Sequence, residues 1–242
     1  MKINELIKKE EWDKSYKENL FKINKNTFLN DILARNVQEF SSVFEFGCYP
    51  GTFLDFLAKE KRCELNGIDY SDYIDEMLCR LTLKNYSINH FFNIDIRDFD
   101  SKDLKFDIVL SVGFIEHFDN TFAILDQHIS LLSNSGTLII ALPNFRHCQY
   151  FLRHFLQSET LQGHNIESMN LDLLGAHLKN KGLHLVESGY IETCNYWVNF
   201  KKMNIFFKII NTPVIILLRL INRYINLPNK YTSPYMYIVA KL

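Results

Sequence analysis

Glycine is scarce in this chain, with nine in 242 residues, about half the usual ~7%. Backbone that must take a positive φ or come close to a ligand favours glycine, so the places where the nine fall are informative. Cysteine occurs five times (Cys48, Cys63, Cys79, Cys148, Cys194), with no Cys-x-x-Cys pair. That argues against a disulfide framework or a zinc site and fits reduced thiols in a cytosol. Neither sign of charge dominates: 27 Lys+Arg against 28 Asp+Glu leave a net charge of -1, without the basic footprint of a nucleic-acid binder. The N-terminal stretch has no apolar run of the secretory kind, and a cytoplasmic protein is expected. Long apolar runs are missing apart from 205–227, as are repeats, low-complexity tracts and Pro/Gly-rich linkers. With 47% apolar and 23% charged residues, the composition is that of an ordinary folded chain.

What is present is an alternation. Residues 1–37 read as one or two polar helices, with Leu6, Trp12, Tyr16, Leu20 and Ile23 about one turn apart. Short apolar runs at 43–46, 65–68, 90–94, 106–112 and 137–142 then read as strands. Amphipathic stretches at 52–61, 72–83 and 118–132 read as helices between them. Alternation at this spacing implies right-handed strand–helix–strand units and a parallel sheet. The runs are mostly apolar throughout, as strands covered by helices on both faces should be. Beyond Pro143 the pattern predicts helices at 145–157 and 171–181, a strand at 184–191, an insertion, and a last strand at 235–240.

The first strand runs into Glu45-Phe-Gly47-Cys48-Tyr49-Pro50-Gly51-Thr. In an open parallel sheet the carboxyl end of this strand is the expected ligand crevice. Gly47 permits a turn with close backbone approach, Pro50 fixes φ, and Gly51 admits the chain into the next helix. The Gly-x-Gly-x-x-Gly fingerprint of dinucleotide binders is missing, which disfavours a dehydrogenase. Glu45 would repel a pyrophosphate and suits a cationic ligand. The second strand ends in Asp69-Tyr70, where the acid can accept hydrogen bonds from ribose hydroxyls. The third ends in Asp95-Ile96, where the acid can take an adenine amino group and the isoleucine can cover the ring. Either aspartate alone can equally be a turn or cap residue. Three acids at three consecutive strand ends are harder to explain that way.

These motifs, in this order, resemble the class I S-adenosylmethionine-dependent methyltransferases over roughly residues 11–242. The likeness continues through Phe106-Asp107-Ile-Val-Leu-Ser111, Ile115-Glu116-His117-Phe118 and Leu142-Pro143-Asn144. The resemblance implies a Rossmann-like, doubly wound α/β fold whose seven-stranded sheet is mostly parallel, with the last strand antiparallel. It implies one domain: a helical cap (1–37), a cofactor-binding core (38–195), a helical insertion (196–230) and the last strand (231–242). S-adenosylmethionine would meet Glu45, Gly47, Cys48, Tyr49 and Gly51 at its methionine end and Asp69 with Tyr70 at its ribose. Asp95 and Ile96 would take the adenine, Ser111 is a further expected contact, and the helix of Trp12 and Tyr16 would close over the cofactor. One departure stands out: the family loop usually reads Gly-Cys-Gly-x-Gly, and Tyr49 fills the middle position. Its side chain must point away from the cofactor or narrow the pocket. The Cys-x-Pro-Gly loop and the stretches 111–118, 143–146 and 164–171 are similar to a subgroup found among bacterial polysaccharide and small-molecule biosynthetic methyltransferases.

In such enzymes the cofactor carries an activated methyl group, and the protein supplies proximity and orientation. A hydroxyl acceptor is helped by a base. His117 with Glu116 beside it, and His164, are the catalytic candidates, because the ordinary histidine pKa of ~6.5 suits the task. Either histidine can instead be a packing or loop residue. In ubiquinone O-methyltransferases a similar Glu-His pair joins a second acid one turn earlier to hold a metal. That position is Gly113 here, so no metal is expected. The expected acceptor is a small molecule methylated on oxygen, with a sugar or polysaccharide precursor leading. A lipid or quinone acceptor at a membrane surface and a non-catalytic cofactor-binding scaffold are the alternatives. The apolar face of 205–227 is interrupted by Lys208, Pro213 and Arg219, which disfavours a spanning helix. It can dock on the domain or a second copy, roof the acceptor site, or lie peripherally on a membrane.

Overall fold

The computed structural model describes residues 3–18, 27–101, 103–156, 161–194 and 205–242. Its helices are α1 (Lys9–Glu18), α2 (Asn30–Asn36), α3 (Thr52–Lys61), α4 (Ile74–Leu83), α5 (Thr121–Ser130), α6 (His147–Leu156), α7 (Leu171–Asn180) and α8 (Ile205–Tyr224). Strands β1 (Ser42–Phe46), β2 (Glu64–Ile68), β3 (Ile88–Phe92), β4 (Phe106–Val112), β5 (Leu132–Pro143), β6 (His184–Ile191) and β7 (Tyr235–Lys241) form one sheet in the order β3-β2-β1-β4-β5-β7-β6. Strands β1 to β5 pair in parallel, and β7 runs antiparallel to both β5 and β6. This is the expected Rossmann-like sheet. Strand order reverses at β1, between β2 and β4, and that reversal opens a crevice at the carboxyl ends.

Successive strand residues face opposite sides of the sheet, and both sides are covered. Val43, Ile108, Ile139 and Val239 pack with Leu54 and Leu57 of α3 and Met77 and Leu81 of α4. Phe44, Val109, Ile140 and Ile238 pack on the other side with Ile124 and Leu125 of α5 and Leu174 and Leu178 of α7. Each such fully buried side chain contributes about 1.5–3 kcal/mol relative to exposure, which explains why the strands read as continuous apolar runs. Polar caps set where helices begin: the Asn120 side chain accepts from the Ala123 amide, and Asn170 accepts from those of Asp172 and Leu173.

Some boundaries differ from the sequence reading. β3 starts at Ile88, which registers with Leu65, two residues before the expected start. β5 starts at Leu132, because an early pairing with Phe106 precedes a bulge. Leu6 precedes α1: its amide donates to the His117 carbonyl at 2.7 Å, while Glu5 bridges Phe118. Leu20 and Ile23 lie outside the described residues, as does the start of the insertion. Pro213 sits within α8 without ending it. Among the described residues no helix is long and apolar enough to cross a membrane. All five cysteines are unpaired.

Candidate active site

The carboxyl ends of β1, β2 and β4 open into a cavity of about 470 Å³. Every residue expected to touch a cofactor lies on its wall except Gly51 and Ser111. Gly51 works at one remove. It holds φ +84° at the start of α3, and an added Cβ would come within 2.9 Å of Met77, so it shapes the loop without facing the cavity. Ser111 is a correction: it is fully buried inside the sheet, registered between Phe46 and Ile140.

The loop after β1 is tied to the end of β2. The Asp69 carboxylate accepts the Tyr49 amide at 3.0 Å and the Ser71 amide at 2.8 Å. Burial pushes its pKa up to about 6. Glu45 is also buried, and its Oε2 meets no hydrogen-bond partner among the described residues. Burial first, then the charge of Asp69, raise the Glu45 carboxyl well above its ordinary range. Two buried acids facing one cavity favour a cationic ligand, whose charge would let both ionise. Gly47 turns the loop at φ +67°, and a Cβ there would meet the Phe114 ring at 2.7 Å. Gly47→Ala is therefore expected to destabilise the fold by about 1–3 kcal/mol, measured by thermal unfolding; an unchanged midpoint would show that the loop tolerates a side chain.

The other expected contacts have partners of their own. Asp95 accepts from the Arg97 amide at 2.8 Å and its Nε at 2.9 Å, so it caps the turn and lines the cavity at once. Burial alone would raise its pKa, but Arg97 outweighs that and holds it low. Arg97 also lies 3.6 Å from Glu5, which accepts the Tyr70 hydroxyl. Tyr49 is buried against Tyr16 and Tyr73, with ring centroids 4.6 and 6.0 Å away. It joins the core beside α3 and α4 and still borders the cavity. Helix α1 lies over the site. Trp12 meets His117 edge-on at 4.8 Å, and Asp13 accepts from Lys9 at 2.8 Å and from the Ser71 hydroxyl at 3.0 Å.

His117, the ring that Trp12 meets, is grouped with Glu116 and His164. His117 lines the cavity, and its Nδ1 lies 2.8 Å from the Gly163 carbonyl. A carbonyl only accepts, so that nitrogen carries the proton; the Gly113 backbone also hydrogen-bonds the ring. Nε2 is 3.8 Å from Glu116 Oε1, and the His164 ring centroid is 4.5 Å from that of His117. Asn165 brings His164 here: its amide donates to the Glu116 carbonyl at 2.7 Å, and its side chain donates to Phe118, Asp119 and Thr121. Burial, then His164, push the His117 pKa down to about 3, so the expectation of an ordinary histidine is corrected. Burial pushes Glu116 up to about 8, and neither of its carboxylate oxygens has a hydrogen-bond partner among the described residues. Burial thus disfavours both the carboxylate of Glu116 and the imidazolium of His117. The sequence expectation of no metal rested on Gly113; the fold supplies His164 as a third group instead, with ligand-type atoms of all three within 4.8 Å of one another.

A family model for a methyltransferase domain matches residues 16–188. The chain belongs to this methyltransferase family. Solved structures agree on the fold. Coclaurine N-methyltransferase bound to N-methylheliamine and SAH is 14% identical with a TM-score of 0.56, over 92% of this chain and 76% of that one. The plantazolicin methyltransferase BpumL with a monoazolic desmethylPZN analog and SAH is 17% identical at 0.55, over 96% and 89%. A methyltransferase from Bacillus halodurans, itself named from similarity, is 13% identical at 0.61, over 88% and 97%. No curated protein sequence gives a match. SAH is the product left when S-adenosylmethionine gives up its methyl group, and S-adenosylmethionine is the cofactor of this class I methyltransferase.

Wall residues of the methyltransferase cavity that escaped the sequence reading include Glu5, Thr27, Phe28, Phe53, Glu192 and Tyr235. Phe28 stacks on Tyr235 with centroids 3.9 Å apart and planes 7° from parallel. Asn144, quoted above only as part of a motif, fixes the approach to Tyr235. Its amide donates to Pro234 at 2.8 Å and its side chain to the carbonyls of Lys230 and Ser233. An asparagine directly after β5 was the one available signal.

Proposed function

We propose that this methyltransferase methylates a hydroxyl oxygen of a small molecule, a sugar or polysaccharide precursor. The observation that carries the reading is the Glu116–His117–His164 group, whose His117 lies on the cavity wall, a proton-handling device that a hydroxyl acceptor needs. When bound, S-adenosylmethionine supplies a sulfonium-activated methyl group. Glu45 and the loop of Gly47 would hold its charged end, and Asp69 would accept from its ribose hydroxyls with the lone pairs that Tyr49 and Ser71 leave free. Neutral His117 takes the acceptor's hydroxyl proton at Nε2. Glu116, 3.8 Å away, stabilises the imidazolium so formed once its carboxyl is ionised, above about pH 8. The stacked Phe28–Tyr235 pair beside Glu192 suits a sugar, whose C–H face packs on aromatic rings while its hydroxyls donate to a carboxylate.

Incubating the protein with methyl-labelled S-adenosylmethionine and a panel of free hexoses, nucleotide-linked hexoses and primary amines tests this. Label in an alkali-stable ether on a hexose, unaffected by a chelator, is the expected result. Transfer to amines alone would overturn oxygen methylation. Activity lost with chelator and restored by a divalent ion would make the same three side chains a metal centre rather than a proton relay.

A further inference from the structure

We propose that α8 is an interfacial anchor that binds anionic lipid bilayers. The proposal is independent of which acceptor is methylated. At ~100° per residue, Ile205, Ile209, Ile216, Leu220 and Tyr224 share one face, and their exposures are 73%, 66%, 53%, 47% and 77%. The opposite face holds the helix to the protein. Ile215 is 6% exposed, and the Asn222 side chain accepts from the amides of Thr193 and Cys194 at 3.0 and 2.9 Å. A contiguous apolar stripe of this kind is rare on a surface that meets only water.

Charge decides what covers it. Residues 193–242 contain seven of the chain's 27 Lys+Arg and none of its 28 Asp+Glu. A second copy would set this wholly basic segment against itself, which like charges oppose. An anionic headgroup layer complements it, and each basic residue near such a surface adds to the attraction. Exposed Tyr224 and Tyr231 have the amphipathic rings that settle at headgroup depth. The helix does not qualify as a span, so it lies in the plane of the interface with its apolar stripe toward the acyl chains. Thr193, bonded to Asn222 of α8, directly follows Glu192 of the cavity wall.

Co-sedimentation of the whole chain with vesicles tests this, using phosphatidylcholine alone and phosphatidylcholine mixed with phosphatidylserine. The native chain should pellet with the anionic vesicles, less with the neutral ones, and less again at high salt. The double variant Ile216→Glu/Leu220→Glu changes two exposed side chains. It should keep its melting temperature and lose vesicle partitioning by about tenfold. A native chain that stays in the supernatant with anionic vesicles would overturn the proposal. So would a double variant that pellets as well as its parent, or one whose sole defect is conversion of a dimer to a monomer.

Discussion

His117→Ala is expected to lower turnover by about 10²–10⁴-fold while S-adenosylmethionine affinity changes far less. The side chain stands on the cavity wall with its Nδ1 proton committed to Gly163, so its loss removes a proton acceptor and little of the cofactor's surroundings. His164→Ala should act in the same direction, through its contact with His117. The pH profile adds a sign. His117, pushed down to about 3, stays neutral across the working range and by itself would give a flat profile. Glu116 titrates near 8. Below that pH it is a neutral acid, and above it a carboxylate faces Nε2 and makes the histidine a better base. Turnover should therefore rise with pH through about 8, and Glu116→Gln should flatten that rise. A native profile rising between about 6 and 7 would point to an ordinary exposed histidine and contradict this arrangement, as would equal turnover in the alanine variants.

The second large effect is on binding. Asp69→Asn removes a charged acceptor at the end of β2, and a hydrogen bond to a charged group contributes about 1.5–3 kcal/mol. Affinity for S-adenosylmethionine should fall roughly ten- to hundredfold. The substitution also leaves one oxygen where two now hold the amides of Tyr49 and Ser71, so the glycine loop loses a tether. Asp69 titrates near 6. In the native chain, affinity should hold above that pH and decline as pH falls through it, because the protonated acid is the weaker acceptor. In Asp69→Asn the decline should be absent.

Much of this could be read from residues alone, for physical reasons. β4 and β6 and helix α3 fall at the expected residues because buried strands and an amphipathic helix carry strong local patterns. Glu45, Asp69 and Asp95 could be assigned to one crevice because parallel topology fixes where strand ends lie. The rest depends on contacts between distant segments. Glu5 reaches the cavity because the N-terminal stretch pairs with Phe118, and Phe28 because it stacks on Tyr235; neither has a local signature. The depth of burial around Glu116 and His117, which reverses their ordinary order of proton affinity, cannot be read from a list of residues. Nor could the sequence show that Asn165 would fasten His164 against them.

The central claim is that Glu45, Asp69 and the Gly47 loop form an S-adenosylmethionine site. Titration calorimetry of the native chain with S-adenosylmethionine, at pH 7.5 and again at pH 5, tests it directly. Saturable one-site binding at the higher pH, weakened at the lower, is the predicted result. No binding at either pH, or binding that ignores both pH and the Asp69→Asn substitution, would contradict it.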